Sequence, residues 1–60
     1  MYSEFLRIQH SIDAIDNFKQ VAPTFKWIKI FEQRFKSVAG AQEKTQILLN
    51  QLANIEHKFY

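Results

Sequence analysis

"TFKWIKIFEQRFK", residues 24–36, places four aromatic rings and four positive charges in little more than three helical turns. Read as a strand, it alternates poorly: Trp27 and Ile28 are adjacent, as are Ile30 and Phe31, so no polar face forms. Read as a helix at about 100° per residue, Trp27, Ile28, Phe31, Phe35 and Val38 share an arc of about 100°. Lys26, Lys29, Gln33 and Lys36 then fall together on the opposite side. The helical reading divides the stretch into an apolar and a basic face, and it makes the chain all-α.

The flanking segments repeat the pattern. Phe5, Ile8, Ile12, Ile15, Phe18 and Ala22 step by threes and fours, as do Ala41, Thr45, Leu48, Leu52, Ile55 and Phe59. Ser3 suits a helix N-cap, and Glu4 suits the positive end of the helix dipole. Pro23 lacks an amide hydrogen and disfavours a helical residue before it, so a first helix should stop near Val21 and a second begin at Pro23 or Thr24. Gly40 either ends that second helix or sits inside a longer one, and Gly40 with Glu43 forms a weak substitute for a capping box.

The expected fold is one domain, residues 1–60, with helices at about 3–21, 24–39 and 41–59. They pack as a three-helix bundle, or as a helical hairpin whose long second arm bends at Gly40. The expected core is Phe5, Ile8, Ile12, Ile15 and Phe18 with Trp27, Ile28, Phe31, Phe35 and Val38, closed by Leu48, Leu52, Ile55 and Phe59.

Sixty residues support only a thin core, and small domains usually add disulfides, a metal or a partner subunit. Cysteine is absent, and His10 and His57 stand far apart in the chain, so no metal site and no cofactor is expected. Apolar residues nevertheless make up 47% of the chain, more than one small bundle can hide. Leu6, Ile47 and Leu49 flank the main apolar arcs and are the candidate self-association residues, most simply in a homodimer. Phe25 and Ile30 flank the lysines of the second helix. With Lys26, Lys29 and Lys36 they form the candidate partner-binding patch.

Chemistry is sparse. His10 and Ser11 are sequence neighbours and point about 100° apart on a helix, too far to act as base and nucleophile. Asp13 and Asp16 share a helical face but lie off the apolar arc, where a solvated surface is expected. With one glycine, no phosphate-cradling loop can form. No catalytic residue and no small-molecule substrate is expected.

The functional expectation is therefore a non-catalytic, self-associating protein-interaction module. It serves as a small regulator or inhibitor of a larger protein with an acidic surface, engaged through the second helix. One alternative is nucleic-acid binding through Lys26, Lys29 and Lys36, although residues 24–39 carry a net charge of only +3. A third reading, an amphipathic peptide lying on a membrane surface, is opposed by Glu32 and by the matching apolar arcs of the other helices. The start "MYSEFLRIQHS" lacks the basic-then-apolar order of a signal peptide, and with no cysteine the expected location is the cytoplasm.

Overall fold

Short polar side chains, more than the proline, decide where the first helix stops. A computed structural model describes residues 1–59 and shows α1 at Tyr2–Asp13, α2 at Val21–Arg34 and α3 at Ala41–Glu56, with 3-10 turns at Phe18–Gln20 and His57–Phe59. Among the described residues there is no strand.

α1 is much shorter than the expected 3–21. Past Asp13 the chain reads Ala-Ile-Asp-Asn, and aspartate and asparagine hydrogen-bond readily to nearby backbone in non-helical conformations. The Ile15 amide turns back to the Ile12 carbonyl at 3.1 Å. Asn17 is extended (φ −148°, ψ 158°), and its Oδ1 accepts from the Lys19 amide at 2.9 Å, capping the 3-10 turn. Gln20 Oε1 accepts from the Asp16 amide at 2.8 Å and closes the connection. The cap of α1 is also displaced. Met1 holds that position, its carbonyl accepting from the Phe5 amide at 3.0 Å, and Ser3 lies inside the first turn.

α2 begins two residues earlier than the proline suggests. Pro23 is its third residue, where the first turn leaves amides without intrahelical partners, so the missing hydrogen costs nothing. The helix ends at Arg34. Its exit is carried by Phe35 N–H to the Phe31 carbonyl at 3.1 Å, Val38 N–H to Phe35 at 2.9 Å, and Ala41 N–H to Val38 at 3.1 Å. Gly40 (φ 86°, ψ −10°) is left-handed and forms the N-cap of α3. A bent hairpin with Gly40 inside a long helix is thereby excluded, and the fold is a three-helix bundle. No side-chain capping bond forms at Gly40.

Nothing lies within 4 Å of a methyl group placed on Gly40, so only its backbone conformation opposes a side chain. Gly40→Ala is expected to cost about 1–2 kcal/mol through left-handed strain, and Gly40→Asn less. Urea midpoints of the two variants check this ordering.

The buried core combines Phe5, Ile8 and Ile12 of α1, Val21, Ile28 and Phe31 of α2, and Leu48 and Leu52 of α3. Ile15, Phe35, Leu49, Ile55 and Phe59 pack against it, partly buried. Two threonines complete the interior. Thr24 Oγ1 donates to the Gln20 carbonyl at 2.8 Å and Thr45 Oγ1 to the Ala41 carbonyl at 2.9 Å, so each hydroxyl enters the core with its hydrogen bond made.

Three expected core residues are exposed instead: Phe18, Trp27 and Val38. Phe18 and Val38 fall in the connections, where helical periodicity no longer applies. Phe18 lies edge-on to Phe59, ring centroids 6.5 Å apart.

The folded chain exposes 4429 Å². An unfolded chain of this mass exposes roughly 10,400 Å², so only about three-fifths of the surface is buried. Within this thin interior, Gln51 Oε1 is buried without a hydrogen-bond partner among the described residues. A buried acceptor of this kind costs about 1–3 kcal/mol. Gln51→Met, similar in shape, is expected to raise stability by about 1 kcal/mol, read from the urea midpoint.

Candidate partner-binding surface

α2 carries the surface. Counting Val21 and Thr24 into its buried stripe with Ile28, Phe31 and Phe35 moves the centre of that stripe away from Trp27. By the helical rotation Trp27 then stands about 80° to one side of the centre and Phe25 about 80° to the other. Ile30 lies beyond Trp27. The result is three large apolar side chains in water: Phe25 is 45% exposed, Trp27 59% and Ile30 50%.

Lys26 and Lys29 occupy the outermost strip between Phe25 and Ile30. Lys29 Nζ lies 5.7 Å from the centroid of the Phe25 ring and 3.4 Å from Glu32 Oε1. That exposed pair is worth little by itself, but it holds the ammonium against an aromatic face. Lys36 is not on this strip. It lies beyond the end of α2, so the lysine stripe read from the sequence is reduced to Lys26 and Lys29. The structure therefore brings together Phe25, Lys26, Lys29 and Ile30, adds Trp27, and leaves Lys36 apart.

A groove flanks α2 on each side. Between α1 and α2 a recess of about 120 Å³ is lined by Ile8, Trp27, Ile30, Phe31 and Phe35. Glu4, Arg7 and Arg34 also line it. The Arg34 guanidinium lies 5.7 Å from the centroid of the Phe35 ring. On the other side Phe25 borders an open groove shared with Phe18, Val21, Leu52 and Glu56.

The electrostatics of the first groove are unbalanced. The Met1 ammonium donates to Glu4 Oε2 at 3.0 Å, and this hydrogen bond holds the Glu4 carboxyl below the usual glutamate range, with a smaller Coulomb contribution from Arg34. Any stability from this pair is present above the ordinary carboxylate range and is lost as pH falls through the lowered value. The ion pairs among the described residues are Met1–Glu4 and Lys29–Glu32, so Arg7 and Arg34 have no carboxylate within pairing distance there.

The self-association candidates separate. Leu6 on α1 and Ile47 on α3 are exposed, whereas Leu49 is partly buried against the core. The remaining polar candidates make local contacts. Ser11 Oγ donates to the Arg7 carbonyl at 3.1 Å, a bond within its own helix. Asp13 ends α1 while Asp16 lies in the following turn, accepting from Asn17 Nδ2 at 3.3 Å, so the two do not share a helical face. No cluster of three His, Asp or Glu side chains suited to a metal ion occurs among the described residues, and no described helix is long and apolar enough to cross a membrane.

No protein-family model, curated protein or solved structure significantly matches the chain.

Proposed function

We propose that this chain is a non-catalytic protein-binding module that engages a partner with an acidic surface through the outer side of α2. The observation that carries the reading is the exposure of Phe25, Trp27 and Ile30 around Lys26 and Lys29 on one helix. Covering Trp27 alone removes on the order of 150 Å² from water, worth about 3–4 kcal/mol before ordering costs. The basic residues steer an acidic surface into register.

Charge also separates this surface from self-association. A two-fold contact centred on Trp27 would set Lys26, Arg34 and Arg7 against their own copies, and like charges brought together across an interface cost several kcal/mol. A homodimer is better served by Leu6 and Ile47, which are exposed on the other two helices. Sedimentation of Leu6→Glu and Ile47→Glu variants tests that placement; a monomer at every concentration of the unaltered chain refutes it.

The partner surface is tested with a synthetic amphipathic helical peptide of about 15 residues bearing leucines on one face and glutamates beside them. Binding is read by the emission of Trp27, the single tryptophan. The acidic peptide should bind, a lysine-flanked version should not, and Lys26→Glu with Lys29→Glu should reverse the preference. Equal binding of both peptides, or tighter and steeply salt-dependent binding to duplex DNA, overturns the proposal.

A further inference from the structure

We infer that the recess between α1 and α2 receives one branched aliphatic side chain of the acidic partner, while Arg7 and Arg34 hold carboxylates flanking that anchor. The inference rests on the partner-binding reading above and assigns it a specific seat.

Size comes first. A closed apolar cavity of about 150 Å³ accommodates benzene. A half-open recess of about 120 Å³ lined by Ile8, Trp27, Phe31 and Phe35 therefore has room for a leucine or isoleucine side chain. A depression of this kind, set between two helices, fits a projecting side chain better than it fits the broad surface of a lipid layer.

Charge complementarity names what surrounds the anchor. Arg7 comes from one wall and Arg34 from the other, and neither has a carboxylate partner among the described residues. Among the described residues the acidic one lining the recess is Glu4, which is engaged by the Met1 ammonium and only weakly by Arg34. Arg34 is already held against the Phe35 ring, which restricts its planar fork before a partner arrives. A recess with apolar side chains and two guanidinium groups that have no carboxylate within pairing distance among the described residues matches an acidic helix whose buried leucine or isoleucine has glutamates or aspartates beside it.

The test uses the full chain, the acidic peptide above, and two altered peptides. In one the central leucine is alanine; in the other the glutamates flanking that leucine are glutamines. Arg7→Gln and Arg34→Gln should each weaken the acidic peptide about tenfold, with only partial recovery in Arg7→Lys and Arg34→Lys, because lysine restores charge without the bidentate fork. The leucine-to-alanine peptide should lose at least tenfold. The glutamine-flanked peptide should bind unaltered chain and arginine variants alike, a coupling that a change in fold alone does not produce. If the acidic peptide binds but the arginine variants retain full affinity, the recess is not the seat and the outer face of α2 remains the binding surface. If no acidic peptide binds the unaltered chain, both readings fail together. A Trp27 response confined to phosphatidylserine vesicles overturns the inference in favour of a membrane surface.

Discussion

Leu48→Ala is expected to leave the chain largely unfolded at 25 °C. Leu48 is wholly buried and belongs to the one contiguous core that all three helices share. Truncating a buried leucine to alanine costs about 2–5 kcal/mol, the lost transfer energy plus a cavity the surroundings fill only partly. A single core in a domain of this size rarely supplies more than about 3–5 kcal/mol in total. The two magnitudes overlap, so one substitution removes most of the margin. Far-UV circular dichroism should show most of the helical signal lost, while Leu6→Ala, at an exposed site, should keep it. A Leu48→Ala variant that retains most of its stability would show that the interior lies elsewhere.

Trp27→Ala is expected to do the reverse, leaving the fold intact and removing the binding. Its ring is more than half exposed, so truncation opens no cavity in the core and the urea midpoint should move little. Tryptophans at the centre of an interface commonly contribute 2 kcal/mol or more to binding, roughly thirtyfold in affinity. The affinity of a labelled acidic peptide, followed by anisotropy, should fall by at least that factor. In the unaltered chain, acrylamide should quench Trp27 freely and the bound peptide should protect it. A shielded tryptophan in the free chain, or unfolding on its truncation, would return the ring to the core and remove the proposed surface.

The opposite roles of these two residues show what was legible in the sequence. Helix was legible in all three segments because the apolar spacing of Phe5, Ile8 and Ile12, of Ile28 and Phe31, and of Leu48 and Leu52 fits no strand. The side on which Trp27 falls was not. An apolar pattern passes over Thr24, which is polar by name but bonds its hydroxyl to the Gln20 carbonyl and enters the core at the stripe's centre. Thr24 only fills that arc; the stripe shifts because Val21, assigned to the first helix by the proline, joins it on the side away from Trp27 while Val38 leaves the helix, and Trp27 is released. Thr45 on α3 buries itself in the same way; it stood on the apolar stripe of its segment but outside the expected core. The early end of α1 was available in Asp16 and Asn17, a turn-and-cap signal outweighed by Ile15 and Phe18 continuing the helical spacing beyond it.

The grouping of the candidate patch was legible in part. Phe25, Lys26, Lys29 and Ile30 do lie on one outer face, because they are close in sequence on a single helix. Arg7 could not be added from the sequence, since it reaches the recess only when α1 packs against α2. Lys36 was included on the assumption of a longer helix, and the turn after Arg34 takes it away from the others.

The connections at 14–17 and 35–40 are short, and the helices they join meet near neighbours in the sequence. Topologies of this kind reach the native state in microseconds to milliseconds, because little chain must be looped before contacts form. A bundle with so narrow a margin opens often, yet it recloses before a slow protease can act on the exposed segment. Its turnover will then follow the equilibrium population of open molecules, and a ligand that binds only the closed form will lengthen its lifetime in proportion to occupancy.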